Sequence, residues 1–191
     1  MTKPEILNTK VVHRGWATFS VVTLRTPRGA EVEREIENHG RAACVLAYDP
    51  EKRTALLVRQ FRAAVFMASG ETGLTEIIAG MVDESDPKET AKREAMEEAG
   101  VRLAHLEFVA TGWTSPGISM ERSDMFLATY SHADRVEKGG GLAHENEEIE
   151  VVEVPLADLA AQADAGDITD MKTLTLVQTL RLRRPELFRE P

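Results

Sequence analysis

Glu94, Glu97 and Glu98 stand three and four residues apart in the stretch Arg93-Glu94-Ala95-Met96-Glu97-Glu98-Ala99. At helical pitch this spacing places three carboxylates on one face. Like charges so placed repel by about 0.2–0.5 kcal/mol per pair on an isolated helix. They would also sit in the C-terminal half of the helix, where the backbone dipole favours cations over anions. A solvated acidic face is the plain explanation of such a cluster. Its position at the unfavourable end of the dipole points instead to a cation that offsets the repulsion. Hard divalent ions suit the role, because Mg²⁺ prefers carboxylate oxygens and keeps waters that can be exchanged for substrate phosphates.

A helix over 87–99 must carry these side chains. Asp86 suits the N-cap, Pro87 the first helical position, and Glu89 completes a capping box with Asp86. Gly100 is a natural stop after the last turn. Ala91, Ala95 and Ala99 recur every four residues and form a close-packing apolar face. Strands are expected at 10–14, 17–25 and 30–37, with Pro27-Arg28-Gly29 as a turn, then at 42–47 and 54–61 around Asp49-Pro50-Glu51-Lys52. A loop at 68–73 precedes a short strand, 74–78, ending at Ala79-Gly80. Further strands at 101–111, 125–130 and 149–154 and helices at 156–165 and 169–183 complete the chain. Gly139–Gly141 reads as a flexible hinge; no Lys-Ser/Thr follows it, as a phosphate-binding loop requires. Strands mixed with a few helices in this order predict an α/β sandwich with a mixed sheet.

At 191 residues the chain fits one domain with an N-terminal extension. A formal net charge of −9 argues against binding along a nucleic-acid backbone, and an anionic substrate would need a cation between it and the protein. Cys44 is the single cysteine, which excludes a disulfide framework and a cysteine zinc site; in its apolar run it reads as a core residue. The five histidines show no metal-ligand spacing. No signal peptide or membrane-length apolar run is visible, so a cytoplasmic location is expected.

The segment from Arg93 to Val101 resembles the second half of the Nudix box, G-x5-E-x7-R-E-U-x-E-E-x-G-U, with Arg, three Glu and Gly at the required spacing. The first half, after Gly80, is one residue short, and Glu84 or Asp86 stands where the outer glutamate is expected. Four other stretches are similar to the Nudix subgroup acting on ADP-ribose and GDP-mannose: Arg59-Gln60-Phe61-Arg62, Glu76-Ile77-Ile78-Ala79-Gly80, Ser115-Pro116-Gly117 with Glu121, and the acidic loop Gly141–Ile149. The resemblance implies a Nudix α/β/α sandwich with a mixed sheet at 41–191 and N-terminal antiparallel strands at 1–40 that serve dimerisation. It implies hydrolysis of a nucleoside-diphosphate sugar with Mg²⁺, or Mn²⁺, at two or three ions per site.

On the same resemblance the Ala79 carbonyl, Glu94, Glu98 and Glu147 are metal ligands, and Glu97 holds a second metal or a water. Glu121 and Glu145 are both open as the general base, and Arg93 orients a helix carboxylate. Arg62 and Glu76 fall near the nucleotide. Arg34 reaches the partner's site in a homodimer, and Lys172 resembles a lysine of the GDP-mannose branch. Trp113 either stacks on a base or packs under its loop. The shortened box and Lys172 favour GDP-mannose; Glu121-Arg122-Ser123 and Gly141-Leu142-Ala143 favour ADP-ribose. Alternatives are an ADP-ribose sensor without turnover and a Nudix hydrolase of other nucleotides. Neither nucleic acid nor membrane is expected as a partner.

Overall fold

Every residue of Ala42–Tyr48 is buried, although alternate side chains on a strand must point in opposite directions. A strand of this kind has to be covered on both faces. The computed structural model describes residues 2–83, 86–142 and 147–189 and shows both covers. Strand β4 (Arg41–Asp49) sends Ala43, Val45 and Ala47 to one core, shared with Ala91, Ala95 and Ala99 of helix α2 (Pro87–Ala99). Cys44, Leu46 and Tyr48 enter a second core with Leu156 and Leu159 of α3 (Leu156–Ala165) and Leu176, Val177 and Leu180 of α4 (Met171–Arg183). The sheet thus lies between α2 and the α3–α4 pair, as the α/β/α expectation required. Cys44 is a core residue, wholly buried.

The sheet has seven strands. Its path runs β10 (Ile149–Pro155), β5 (Thr54–Gln60), β4, β9 (Arg122–Thr129), β8 (Glu107–Trp113), with β6 (Leu74–Glu76) on β5 and β7 (Ile78–Val82) on β4. Strands β1 (Glu5–Arg14), β2 (Thr18–Arg25) and β3 (Glu31–Asn38) form a separate antiparallel sheet. By compactness the chain divides into two units, Met1–Arg41 with Gly112–Ser123, and Ala42–Thr111 with Asp124–Pro191. The sequence places a boundary near residue 40. It carries no sign that Gly112–Ser123 belongs with the N-terminal strands, because that assignment rests on long-range pairing. Glu37 N–H donates to the Ile118 carbonyl at 2.8 Å, and Met120 N–H donates to the Glu37 carbonyl at 2.9 Å.

Helix α2 occupies the range its capping residues predict, but one capping detail differs. Asp86 accepts from Lys88 N–H at 2.8 Å, while Glu89 pairs with Lys92 at 2.9 Å and does not close a box with Asp86. An (i, i+3) cation on its own helix captures that side chain. Gly100 closes the helix at φ 65°, and a Cβ there would lie 2.2 Å from the Glu137 carbonyl oxygen. Val101 does not begin a strand as expected: its N–H is spent on the Ala95 carbonyl at the helix end, and β8 starts only at Glu107. A short helix, α1 (Ala63–Ser69), precedes what reads as a loop; its helix-forming residues stop at left-handed Gly70. Among the described residues no helix is long and apolar enough to cross a membrane.

Ala95 is fully buried between α2 and the sheet. Ala95→Leu adds three carbons to a filled space and is expected to destabilise the chain by about 1–3 kcal/mol. In urea denaturation this appears as a lower midpoint at unchanged slope; an unchanged midpoint would show that the helix has room to shift.

Candidate active site

Glycine at position 80 sets how closely the acidic helix approaches strand β7. A Cβ on Gly80 would fall 1.9 Å from Glu94 Oε1. Only a bare backbone admits the carboxylate there. One residue earlier, Ala79 N–H donates to Glu98 Oε2 at 3.2 Å. Glu98 is 3% exposed. Burial pushes its carboxyl well above the usual range and the negative charge of Glu94 adds to this; the Ala79 N–H opposes, while Glu76 and Glu147 push further upward. Glu94 is raised as well, chiefly by burial, with Arg93 opposing and Glu97 and Glu147 reinforcing. Four carboxylates therefore bear on one small volume of the second unit.

Arg93 supplies part of the compensation. Its guanidinium donates 2.6 Å bonds to Glu94 Oε1 and to Glu97 Oε2, so it bridges two carboxylates, where a bidentate pair with one was expected. Burial works against its charge, but the two glutamates outweigh that effect and raise its pKa. The glycine run 139–141 is not the free hinge its composition suggests. Gly140 N–H donates to the Glu98 carbonyl at 2.8 Å and Gly141 N–H to the Glu97 carbonyl at 3.1 Å, capping the last turn of α2. These three residues all have positive φ, which glycine adopts without steric cost. From there Leu142 N–H donates to Glu147 Oε2 at 3.2 Å. The cap of the acidic helix and the placement of Glu147 are thus one piece of backbone.

A second network joins α4 to the sheet. Arg62 Nε donates to Glu76 Oε1 at 2.7 Å, and Lys172 Nζ lies 3.6 Å from Glu76 Oε2 and 2.7 Å from Asp170 Oδ1. Asp170 caps α4 by accepting from the Thr173 N–H at 2.9 Å and the Thr173 hydroxyl at 2.6 Å. Thr173 Oγ1 in turn accepts from Ile77 N–H at 2.9 Å. Burial would lower the Arg62 and Lys172 pKa values, yet Glu76 and Asp170 respectively reverse it and leave both raised. Asp170 is lowered, its burial outweighed by Lys172 and Thr173. Sequence reading singled out Arg62, Glu76 and Lys172; it missed Asp170 and Thr173, whose signal was the Asp-x-x-Thr spacing of an N-cap.

The remaining sequence-derived residues belong to the N-terminal unit or lie outside the description. Glu121 Oε2 is 3.0 Å from His39 Nε2, and its Oε1 accepts from Ser123 Oγ at 3.0 Å. His39 Nδ1 is 2.6 Å from Glu37 Oε1, and Ser119 Oγ donates to Glu37 Oε2 at 2.6 Å. Burial alone would raise the Glu37 carboxyl, but the Ser119 hydroxyl and His39 hold it below the usual range. Arg34, on β3, donates to the Glu33 carbonyl at 2.7 Å. Trp113 is exposed and lies under the Arg122 guanidinium, 5.2 Å from its carbon, a cation–π contact that neither expectation for Trp113 included. Glu145 and Glu84 lie outside the described residues, and Asp86 is engaged as the N-cap.

The sequence pattern of the NUDIX domain matches residues 38–174. This chain belongs to the Nudix family. Its relatives include GDP-mannose pyrophosphatase of Cronobacter sakazakii, 36% identical over 94% of this chain and 95% of that one, and GDP-mannose pyrophosphatase of Escherichia coli O1:K1 / APEC, 32% identical over 93% and 94%. Among solved structures, an ADP compounds hydrolase superposes with a TM-score of 0.77 at 20% identity, covering 100% of this chain and 98% of the other, a likeness of fold.

Among the described residues no three Asp, Glu, His or Cys side chains stand close enough to form a coordination shell as they lie, since Arg93 holds one oxygen each of Glu94 and Glu97. The donor set nevertheless fits a hard divalent ion. It is all oxygen, it is partly buried, and its acid groups raise one another's proton affinity, an interaction that a bound dication reverses. In this Nudix site Gly80→Ala must drive the Glu94 carboxyl out of place. Turnover is expected to fall at least about tenfold, the scale of a lost ligand-orienting contact, with the thermal unfolding midpoint read alongside; turnover within twofold of wild type would show that Glu94 has no fixed station.

Proposed function

We propose that this chain is a divalent-metal-dependent pyrophosphatase that splits a nucleoside-diphosphate sugar, with GDP-mannose as substrate, into a nucleoside monophosphate and a sugar phosphate. The observation that carries the reading is Glu98, buried with its acidic neighbours against the Ala79–Gly80 backbone. A buried carboxylate that gains proton affinity from like charges destabilises the fold unless a cation is part of the working state. The choice of GDP-mannose is supported by two relatives of that name which align along nearly the whole chain, and by the Lys172 network on α4.

In this reading the Ala79 carbonyl, Glu94, Glu98 and Glu147 hold Mg²⁺ or Mn²⁺, two or three ions in all, and Glu97 holds a further ion or a water. The metal neutralises pyrophosphate oxygens and lowers the pKa of a bound water. Arg93 keeps Glu94 and Glu97 in register, so neither carboxylate has to be ordered during the reaction. Arg62 and Lys172 turn cationic groups toward the nucleotide while Glu76, nearly fully buried, fixes both. A water oxygen bonds to one phosphorus, the bridging P–O bond breaks, and the water's proton passes to Glu121 or Glu145. Strand β1, exposed along its whole length with Ile6 and Val12 prominent, supports a homodimer in which Arg34 reaches the partner's site.

Glu98→Gln keeps the shape of the site and removes one charge. Phosphate release from GDP-mannose in Mg²⁺ or Mn²⁺ is expected to fall at least about tenfold, and a chelator is expected to abolish it. A Glu98→Gln rate within tenfold of wild type would sink the metal role. Faster cleavage of ADP-ribose than of GDP-mannose would overturn the substrate, and tight binding of either without turnover would make the chain a sensor.

A further inference from the structure

His39 is the residue that sequence reading passed over, and its surroundings are unusual for an imidazole. Both ring nitrogens face carboxylate oxygens, Nδ1 toward Glu37 at 2.6 Å and Nε2 toward Glu121 at 3.0 Å. An ionised carboxylate only accepts hydrogen bonds, and a neutral imidazole carries a single N–H. One ring can therefore serve both partners only as the doubly protonated cation. The two carboxylates have their other oxygens filled by hydroxyl donors, Ser119 on Glu37 and Ser123 on Glu121, which confirms that they act as acceptors. The Trp16 indole stacks on the imidazole at 4.8 Å between centroids and 21° between planes, an arrangement that favours a charged ring. All three side chains of the triad are shielded, at 13%, 14% and 19% exposure, so the contacts are little weakened by solvent. Backbone bonds from Glu37 to Ile118 and Met120 run beside the triad.

We propose that His39 is a positioning residue that, as an imidazolium clamped between Glu37 and Glu121, fixes the Glu121 carboxylate and ties the 115–121 segment to β3. Its consequence is a division of labour. A carboxylate facing an imidazolium is stabilised in its ionised form and resists taking up a proton. Glu121 is then a fixed hydrogen-bond acceptor for the substrate, and the proton of the attacking water goes elsewhere. The inference rests on the proposed hydrolysis for its kinetic consequence, but not for the protonation state of the ring.

The test has two arms. Nitrogen NMR of the histidine ring in the wild-type chain near neutral pH is expected to show His39 protonated at both nitrogens; a single-proton tautomer overturns the clamp. His39→Gln, which offers one donating and one accepting end, is expected to raise KM for GDP-mannose about tenfold, the scale of one hydrogen bond to a charged group, with kcat within about threefold. A fall in kcat at unchanged KM overturns the acceptor role and makes Glu121 the base. Unchanged KM and kcat in a folded variant overturn positioning altogether. If His39→Gln does not fold, the wild-type ring spectrum still decides the clamp. A wild-type chain that cleaves no nucleotide sugar defeats the proposed function and leaves the spectrum to be read by itself.

Discussion

Mutual repulsion among buried carboxylates is the constraint that organises the second unit. Glu98 sits at the far end of α2, where the helix dipole, burial and the charges of Glu94, Glu76 and Glu147 all act against its ionised form. Each neighbouring feature answers some part of that problem. Gly80 gives the Glu94 carboxyl a place to lie, Ala79 supplies an N–H to Glu98, and Arg93 bridges Glu94 and Glu97. The glycine run covers the exposed carbonyls at the helix end with N–H groups, where a side chain would collide with backbone. None of these contacts is costly by itself. Together they fix acidic groups that would otherwise spread apart.

The same pattern recurs where α4 meets the sheet. Glu76 is almost completely buried and is matched by Arg62 and Lys172; Asp170 is matched by Lys172 and by the start of its own helix. Thr173 then carries the connection into the backbone of Ile77. That residue lies one position after Glu76 and two before Ala79, so the α4 cap and the acidic helix meet on the same few residues of chain. Truncating Asp170 would therefore disturb a cap, a lysine and a strand at once, which makes its effect larger than that of an ordinary N-cap.

In the N-terminal unit the compensating cation is an imidazole. His39 differs from Arg93 and Lys172 because its charge depends on its two partners, which makes the contact reversible by the loss of one proton. All three acidic sites of this −9 chain thus hold their carboxylates with a cation in direct contact.

Local rules were enough to read α2. Its start, its end, its buried alanines and its three glutamates all follow from periodicity and capping, which act within a few residues. The covered strands β4 and β5 were legible for a similar reason, since unbroken apolar runs admit few other fates. The family was also written in short segments, each with its own spacing. What the sequence left open depends on approach between distant segments. Nothing local says that Gly112–Ser123 joins the N-terminal strands, that the glycine run caps α2, or that Glu121 meets a histidine 82 positions away. Residue types along the chain determined which chemistry was possible; only the tertiary structure decided which charges meet, because electrostatic partners are chosen by distance in space and not by distance in sequence.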